Sequence, residues 1–187
     1  NMENFYIWTV GCQMNKADSE RLESALGQMG LGSVKSPDDA DVIVLNSCVV
    51  RESAEDRVIG MLTSLKPVKQ RNPDKVIALM GCMVGPQSDA LAKRYPYVDA
   101  FMQPQQFDQL LDIVGERCGI DPGGCIGQLT AKANVTTYIP IIHGCDKFCS
   151  FCIIPYRRGR EVSRTVDSIV HEARMLCLLY TSDAADD

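Results

Sequence analysis

The chain opens with a run of aromatic and β-branched residues, Phe5-Tyr6-Ile7-Trp8-Thr9-Val10, which ends at Gly11-Cys12. An apolar run of this kind bounded by glycine predicts a buried strand over residues 5–12. Polar residues follow, with Leu22, Ala25, Leu26 and Met29 recurring among them at helical spacing. They predict a helix capped by Asp18 or Asn15 and stopped by Gly30. The pattern then repeats. After the turn formers Pro37-Asp38-Asp39, a second strand runs from Val42 to Cys48, and Ala54, Val58, Met61, Leu62 and Leu65 form one apolar helix face. Beyond Asn72-Pro73-Asp74, a third strand runs from Val76 to Cys82. Successive strand ends are far enough apart for one strand–helix–strand unit each.

Helices over 86–95 and 104–118, around a short strand from Val98 to Met102, complete an α/β domain over residues 1–118. The expected fold class is a doubly wound, Rossmann-like parallel sheet. Residues 119–137 read as a linker rich in turn formers and without periodicity. Thr137 to Ile142 is then expected to be the first strand of a β/α barrel and Arg164 to Leu176 its first helix, so that 138–176 is the beginning of a truncated barrel. Residues 177–187 break the helical pattern and look like translated sequencing adapter rather than natural protein.

The cysteines change the picture from a fold to a chemistry. Parallel strands joined by right-handed crossovers share one carboxyl edge, and open α/β sheets bind ligands in the crevice there. Cys12, Cys48 and Cys82 are thereby expected to converge. Three soft ligands suit an iron-sulfur cluster with one corner free; the bland alternative is that each packs as a small apolar group. A second set, Cys145, Cys149 and Cys152, has Cys-x3-Cys-x2-Cys spacing in a single loop. It can hold three corners of a second cluster, leaving the fourth iron for an outside donor. A structural zinc loop, or chance clustering, is the other reading of the same spacing. Cys118 and Cys125 flank the linker and read as incidental, and His143 and His171 as structural.

Composition narrows the setting. The 187 residues are 45% hydrophobic and 23% charged, an ordinary globular balance, and include nine cysteines. No charged-then-apolar leader and no apolar run of about 18 residues is evident. Reduced thiols, a cytoplasmic location and no membrane partner are therefore expected. Over residues 138–164, Lys147, Arg157, Arg158, Arg160 and Arg164 face only Asp146 and Glu161, whereas the preceding chain is net acidic. A basic stretch beside a thiol loop suits phosphates, or equally a solvated, salt-bridged loop.

Taken together, the two cysteine sets and the phrases around them resemble the methylthiotransferase family of radical S-adenosylmethionine (SAM) enzymes over nearly all of residues 5–176. The phrases are Thr9 to Asn15, Leu45 to Glu52, Met80-Gly81-Cys82, the loop with Phe151 before its last cysteine, and Ile153 to Glu161. Within that family, Gln13-Met14-Asn15, Val50 to Glu55 and Arg160 to Arg164 are most similar to the branch that thiomethylates an isopentenylated adenosine beside the tRNA anticodon. The resemblance implies two 4Fe-4S clusters. One, on Cys145, Cys149 and Cys152, would bind SAM near Phe151 and split it to a 5'-deoxyadenosyl radical. The other, on Cys12, Cys48 and Cys82, would deliver sulfur, and a second SAM the methyl group. It implies no acid-base catalytic residues, a tRNA substrate, and an electron donor such as flavodoxin or ferredoxin. Siblings acting on threonylcarbamoyl-adenosine in tRNA or on a ribosomal-protein aspartate remain open, as do a non-catalytic iron-sulfur electron carrier and a zinc-stapled module. Much of the SAM pocket and the substrate surface would lie in the missing barrel, so the fragment alone is expected to be inactive.

Overall fold

The computed structural model describes residues 2–48, 52–85, 88–120 and 137–183. Five parallel strands form its sheet: β1 (Asn4–Thr9), β2 (Gly32–Ser33), β3 (Val42–Ser47), β4 (Val76–Gly81) and β5 (Ala100–Met102), in the order β2-β1-β3-β4-β5. Helices α1 (Gln13–Gln28), α2 (Glu52–Arg71), α3 (Asp89–Arg94) and α4 (Asp108–Cys118) connect them. This is the doubly wound α/β architecture read from the repeated strand–helix pattern.

The central strands β3 and β4 are buried on both faces. Continuous apolar runs are what a parallel sheet covered on both sides demands. Alternation divides their side chains between two cores. Val42, Val44, Val76, Ala78 and Met80 pack with Leu22, Leu26, Leu110 and Leu111 of α1 and α4. Ile43, Leu45, Ile77 and Leu79 pack with Val58, Leu62 and Leu65 of α2. The chain runs outward from β1 to β2 and then returns across β1 to β3, so the strand order reverses between β1 and β3. Ligand crevices open at such a reversal, beyond the strands' carboxyl ends.

Several expectations need correction. The two-residue edge strand β2 had no sequence signal, since Gly32-Ser33 offers nothing to the core. Neither Asp18 nor Asn15 caps α1: both are buried inside it, and the extended backbone of Cys12 stands at the N-cap. The helix expected over 86–95 is the six-residue α3. Gly30 does end α1, with a left-handed φ of 88° just past the C-cap.

The linker expectation for 121–136, with Cys125, lies outside the described residues, as do Val49, Val50 and Arg51. Further along, β6 (Ile142–His143) pairs antiparallel with β7 (Val162–Ser163), with α5 (Ile154–Arg158) between them and α6 (Val166–Asp183) after. The strand expected over 137–142 is thus only two residues long; Pro140 has no N–H for a ladder, and its carbonyl is taken by Arg164. The α6 helix passes through Cys177 without breaking there. No described helix is long and apolar enough to cross a membrane.

Candidate metal centre

Cys48 and Cys82 directly follow β3 and β4, and Cys12 comes after Val10-Gly11 beyond β1, so the three lie at the carboxyl ends of strands on either side of the strand-order reversal and one strand beyond. A Cβ on Gly11 would lie 2.7 Å from the Cys48 Cβ, so the chain just before Cys12 runs against Cys48. Gly81, before Cys82, has φ 98°, and a Cβ there would collide with the Ser47 carbonyl. Two glycines thus let the three strand ends approach closely. Cys48 and Cys82 are buried, at 3% and 1% exposure, while Cys12 is exposed. Burial pushes the Cys82 thiol up; Arg158 opposes this, and Cys48 and Cys12 add to it, which places all three thiols within electrostatic reach. The three strand ends that carry these cysteines share one edge of the sheet, as the crossover argument expects.

A polar lattice beneath the thiols holds these strand ends. Cys12 Sγ donates to Asn15 Oδ1 (3.1 Å). Asn15 Nδ2 donates to Asn46 Oδ1 (2.9 Å) and the Ser47 carbonyl (2.8 Å). Asn46 Nδ2 donates to the Asn15 carbonyl (2.7 Å) and Ser19 Oγ (2.8 Å). Ser47 Oγ donates to the Met80 carbonyl (2.8 Å) and accepts from Met83 N–H (3.2 Å). Buried amides are expensive unless satisfied, and satisfied networks fix geometry. The lattice ties α1, β3 and β4 together beneath the thiols.

Two charged residues complete the site, and neither was singled out for it from the sequence. Asp18, fully buried, accepts from Arg158 Nη2 at 3.1 Å, and Arg158 Nε reaches Cys82 Sγ at 3.3 Å. Burial raises the Asp18 carboxyl; Arg158 is the largest opposing influence, and Gln105 also lowers it. Gln105 takes a left-handed φ of 66°, strain that a non-glycine residue bears only when its surroundings impose it. Arg158 is held above its ordinary value: burial opposes its charge, but Asp18 and then Cys82 outweigh it. Asp18 Oδ1, Arg158 Nη1 and His143 Nδ1 are buried without hydrogen-bond partners. His143, expected to be structural, lies beside this pair, and burial, then Arg158, lowers its pKa. The sequence signal available was polar residues inside apolar elements, Asn46-Ser47 closing a strand and Asp18 on the α1 core face.

The second thiol set is built differently. Cys149 is exposed, and Cys145 and Cys152 are half-buried. The loop is shaped by Gly144, whose φ of 71° brings its backbone against the Arg160 carbonyl, and by Cys145 N–H donating to Gly159 O at 3.2 Å. Asp146 accepts from Arg160 Nε (2.8 Å) and Nη2 (3.2 Å) and from Glu161 N–H (2.9 Å), which together hold its carboxyl below the usual range. Phe148, at φ 46°, meets Tyr156 edge-on with ring centroids 5.9 Å apart. Phe151 is 90% exposed.

Among the described residues, no three His, Cys, Asp or Glu side chains are closed into a ready metal-binding group. The donor chemistry of the sheet edge nonetheless fits a thiolate-held cluster: three thiols share one edge, and a buried guanidinium N–H without a partner stands beside them, suited to an anionic group.

The chain is similar to several proteins named tRNA-2-methylthio-N(6)-dimethylallyladenosine synthase. It is 44% identical to that of Roseiflexus sp. over 92% of its own length and 37% of the relative. The corresponding protein of Herpetosiphon aurantiacus is 42% identical over 92% of this chain and 40% of the relative. That of Dehalococcoides mccartyi is 42% identical over 94% and 40%. The chain therefore spans about two fifths of the length of these relatives. The likeness read from the cysteine phrases is borne out by these matches. A family model, that of the uncharacterized protein family UPF0004, matches residues 4–103, the sheet with its flanking helices, and the chain belongs to that family.

Proposed function

We propose that this chain is the N-terminal part of a radical SAM methylthiotransferase that thiomethylates an isopentenylated adenosine next to the tRNA anticodon. The observation that carries the reading is the convergence of Cys12, Cys48 and Cys82 at one sheet edge, with the second thiol loop joined to it through Arg158. Cys12, Cys48 and Cys82 would hold one 4Fe-4S cluster, and Cys145, Cys149 and Cys152 a second with Phe151 near its SAM. When bound, the clusters and SAM supply one-electron chemistry, the sulfur and the methyl group. Residues 1–118 form the sulfur-delivering domain, 119–137 a linker, and 138–176 the beginning of the SAM-binding barrel.

The chain's own residues act by holding and orienting. The Asn15, Asn46 and Ser47 lattice fixes the strand ends that carry the thiols. Asp146 and Arg160 hold the entry and exit of the second loop together. Of the arginines at 157, 158, 160 and 164, the last three are committed to ion pairs, which leaves Arg157 to meet a phosphate backbone. Hydrogen removal from an adenine carbon offers no acidic proton to a side-chain base, so no acid-base pair is assigned. A small redox protein such as flavodoxin or ferredoxin is the electron donor, and the cytoplasm the setting.

The test is anaerobic reconstitution of the chain, with iron, sulfide and zinc analysis and electron paramagnetic resonance of the reduced sample before and after SAM. About eight irons per chain, two four-iron clusters, and a spectrum altered by SAM are expected. About four irons and a spectrum indifferent to SAM would leave an electron carrier, and zinc in place of iron a structural module.

A further inference from the structure

We propose that Arg158 is a positioning residue that pins the second thiol loop onto the first thiol site and sets the surroundings of Cys82. The proposal deepens the reading above and rests on it only for the identity of what the thiols hold.

The case begins with the backbone of the Arg158 segment. Gly159 O accepts from Cys145 N–H at 3.2 Å, so the start of the Cys145–Cys152 loop is fastened to the chain directly after Arg158. Cys152 leads directly into α5, which ends at Arg158. Both ends of the thiol loop are therefore fastened to the stretch that carries this arginine. A Cβ on Gly85 would meet Arg157 Nη1 at 2.9 Å, so α5 also lies close over the turn that follows Cys82.

The Arg158 side chain then crosses to the sheet domain. It is 6% exposed, and its planar fork makes two contacts at once, Nη2 to Asp18 of α1 and Nε to Cys82 at the end of β4. Arginine suits this task because its donors are fixed in one plane, whereas a lysine ammonium is a single point on a flexible stem. Its third nitrogen, Nη1, is buried without a partner. A cation placed here answers Asp18 through Nη2 and meets the thiol edge through Nε. A second ionic tie runs parallel to it, with Glu172 of α6 lying 3.8 Å from Arg21 of α1 and 2.5 Å from Arg164. That tie joins the same two parts of the chain but touches no thiol.

The pin makes Cys82 accessible only when α5 lifts. In the metal-free full chain, alkylation by iodoacetamide, followed residue by residue by mass spectrometry, gives the rate at Cys82 against Cys12 and Cys149, which are exposed in any case. The paired substitution Asp18→Asn with Arg158→Gln removes both charges together and avoids a lone buried carboxylate. It is expected to accelerate Cys82 by about tenfold or more, as local opening becomes easier, with Cys12 and Cys149 unchanged. Arg158→Lys keeps the charge but loses the fork, and falls between. A Cys82 rate as slow in the paired variant as in the parent chain overturns the proposal.

The second readout separates a lost cation from loosened packing, which would admit water and shift the potential the other way. In the chain carrying Cys145→Ala, Cys149→Ala and Cys152→Ala, reconstituted so that only the strand-edge thiols hold a cluster, Arg158→Gln should make the midpoint potential more negative. Loss of a nearby cation disfavours the reduced form. Arg158→Lys should restore most of that shift. A potential indifferent to both substitutions overturns the proposal, while a chain that binds no iron but shows the Cys82 acceleration overturns the functional reading and leaves the pin standing.

Discussion

The two thiol sets have the same number of cysteines but opposite foundations. Cys48 and Cys82 stand on central strands of a sheet buried on both faces, above a hydrogen-bonded lattice of Asn15, Asn46 and Ser47. Cys145, Cys149 and Cys152 stand on a loop whose flanks, Ile141, Ile142, Phe148, Phe151, Tyr156 and Val162, are all exposed. The first set is assembled from positions far apart in sequence by the fold itself; the second is assembled from adjacent positions by local turns. The difference teaches that a long-range site needs a finished domain under it, while a local site can be shaped by a few bonds and still leave its apolar surface uncovered.

The largest contrast should come from breaking one ion pair in each region. The side chains of Asp18 and Arg158 are 0% and 2% exposed, so Asp18→Ala leaves a buried guanidinium uncompensated and should destabilise the chain by about 3–5 kcal/mol. Asp146→Ala breaks the Arg160 pair on the exposed loop, where water replaces what is lost. Urea unfolding of both variants measures the difference; equal midpoints would remove the distinction between the two foundations. A core substitution in the same sheet calibrates it. Leu79→Ala, at a fully buried position of β4, should cost about 2–5 kcal/mol, and Ile141→Ala, 59% exposed, within about 0.5.

How much of this was legible in the sequence follows the same division. The parallel sheet was readable because each central strand is a continuous apolar run closed by Gly-Cys or Ser-Cys, and the edge convergence of Cys12, Cys48 and Cys82 follows from crossover handedness. The grouping of Cys145, Cys149 and Cys152 in one loop was visible from spacing alone. Asp18 was read as a cap because a short acid near the start of a helical pattern usually is one; its actual partner is 140 positions away, and local pattern carries no information about such a pair. Arg158 was noticed as one of several basic residues, without anything to single it out. The edge strand β2 escaped because two small residues satisfy its pairing by backbone alone.

Glycine substitutions sharpen the comparison at a smaller scale. Gly81→Ala would force a methyl onto the Ser47 carbonyl at φ 98°, between β4 and Cys82. Adverse backbone of this kind is worth about 1–3 kcal/mol, here taken from the central sheet, and the thermal midpoint of the whole domain should fall. Gly144→Ala meets the Arg160 carbonyl in the β6–β7 hairpin instead. Its strain is released by opening that hairpin, so hydrogen exchange at Cys145 and Arg164, the amides that close it, should quicken while the sheet amides of β3 and β4 stay protected. Exchange that quickens in the sheet to the same degree would show that the two regions open as one unit.

The smallest expected effect is at Phe151. Its ring is 90% exposed, touches no aromatic partner among the described residues, and stands directly before Cys152. A large apolar side chain held in water gains nothing from folding, so Phe151→Ala should leave the urea midpoint unchanged within about 0.5 kcal/mol. On the proposed function, the same variant in the reconstituted chain should respond less to SAM in its electron paramagnetic resonance spectrum, because the exposed ring stands beside a proposed cluster thiol. A stability loss beyond about 1 kcal/mol would mean that the ring is packed in solution. The second thiol set would then rest on a covered foundation like the first, and the contrast between the two would narrow to the lattice beneath the sheet edge.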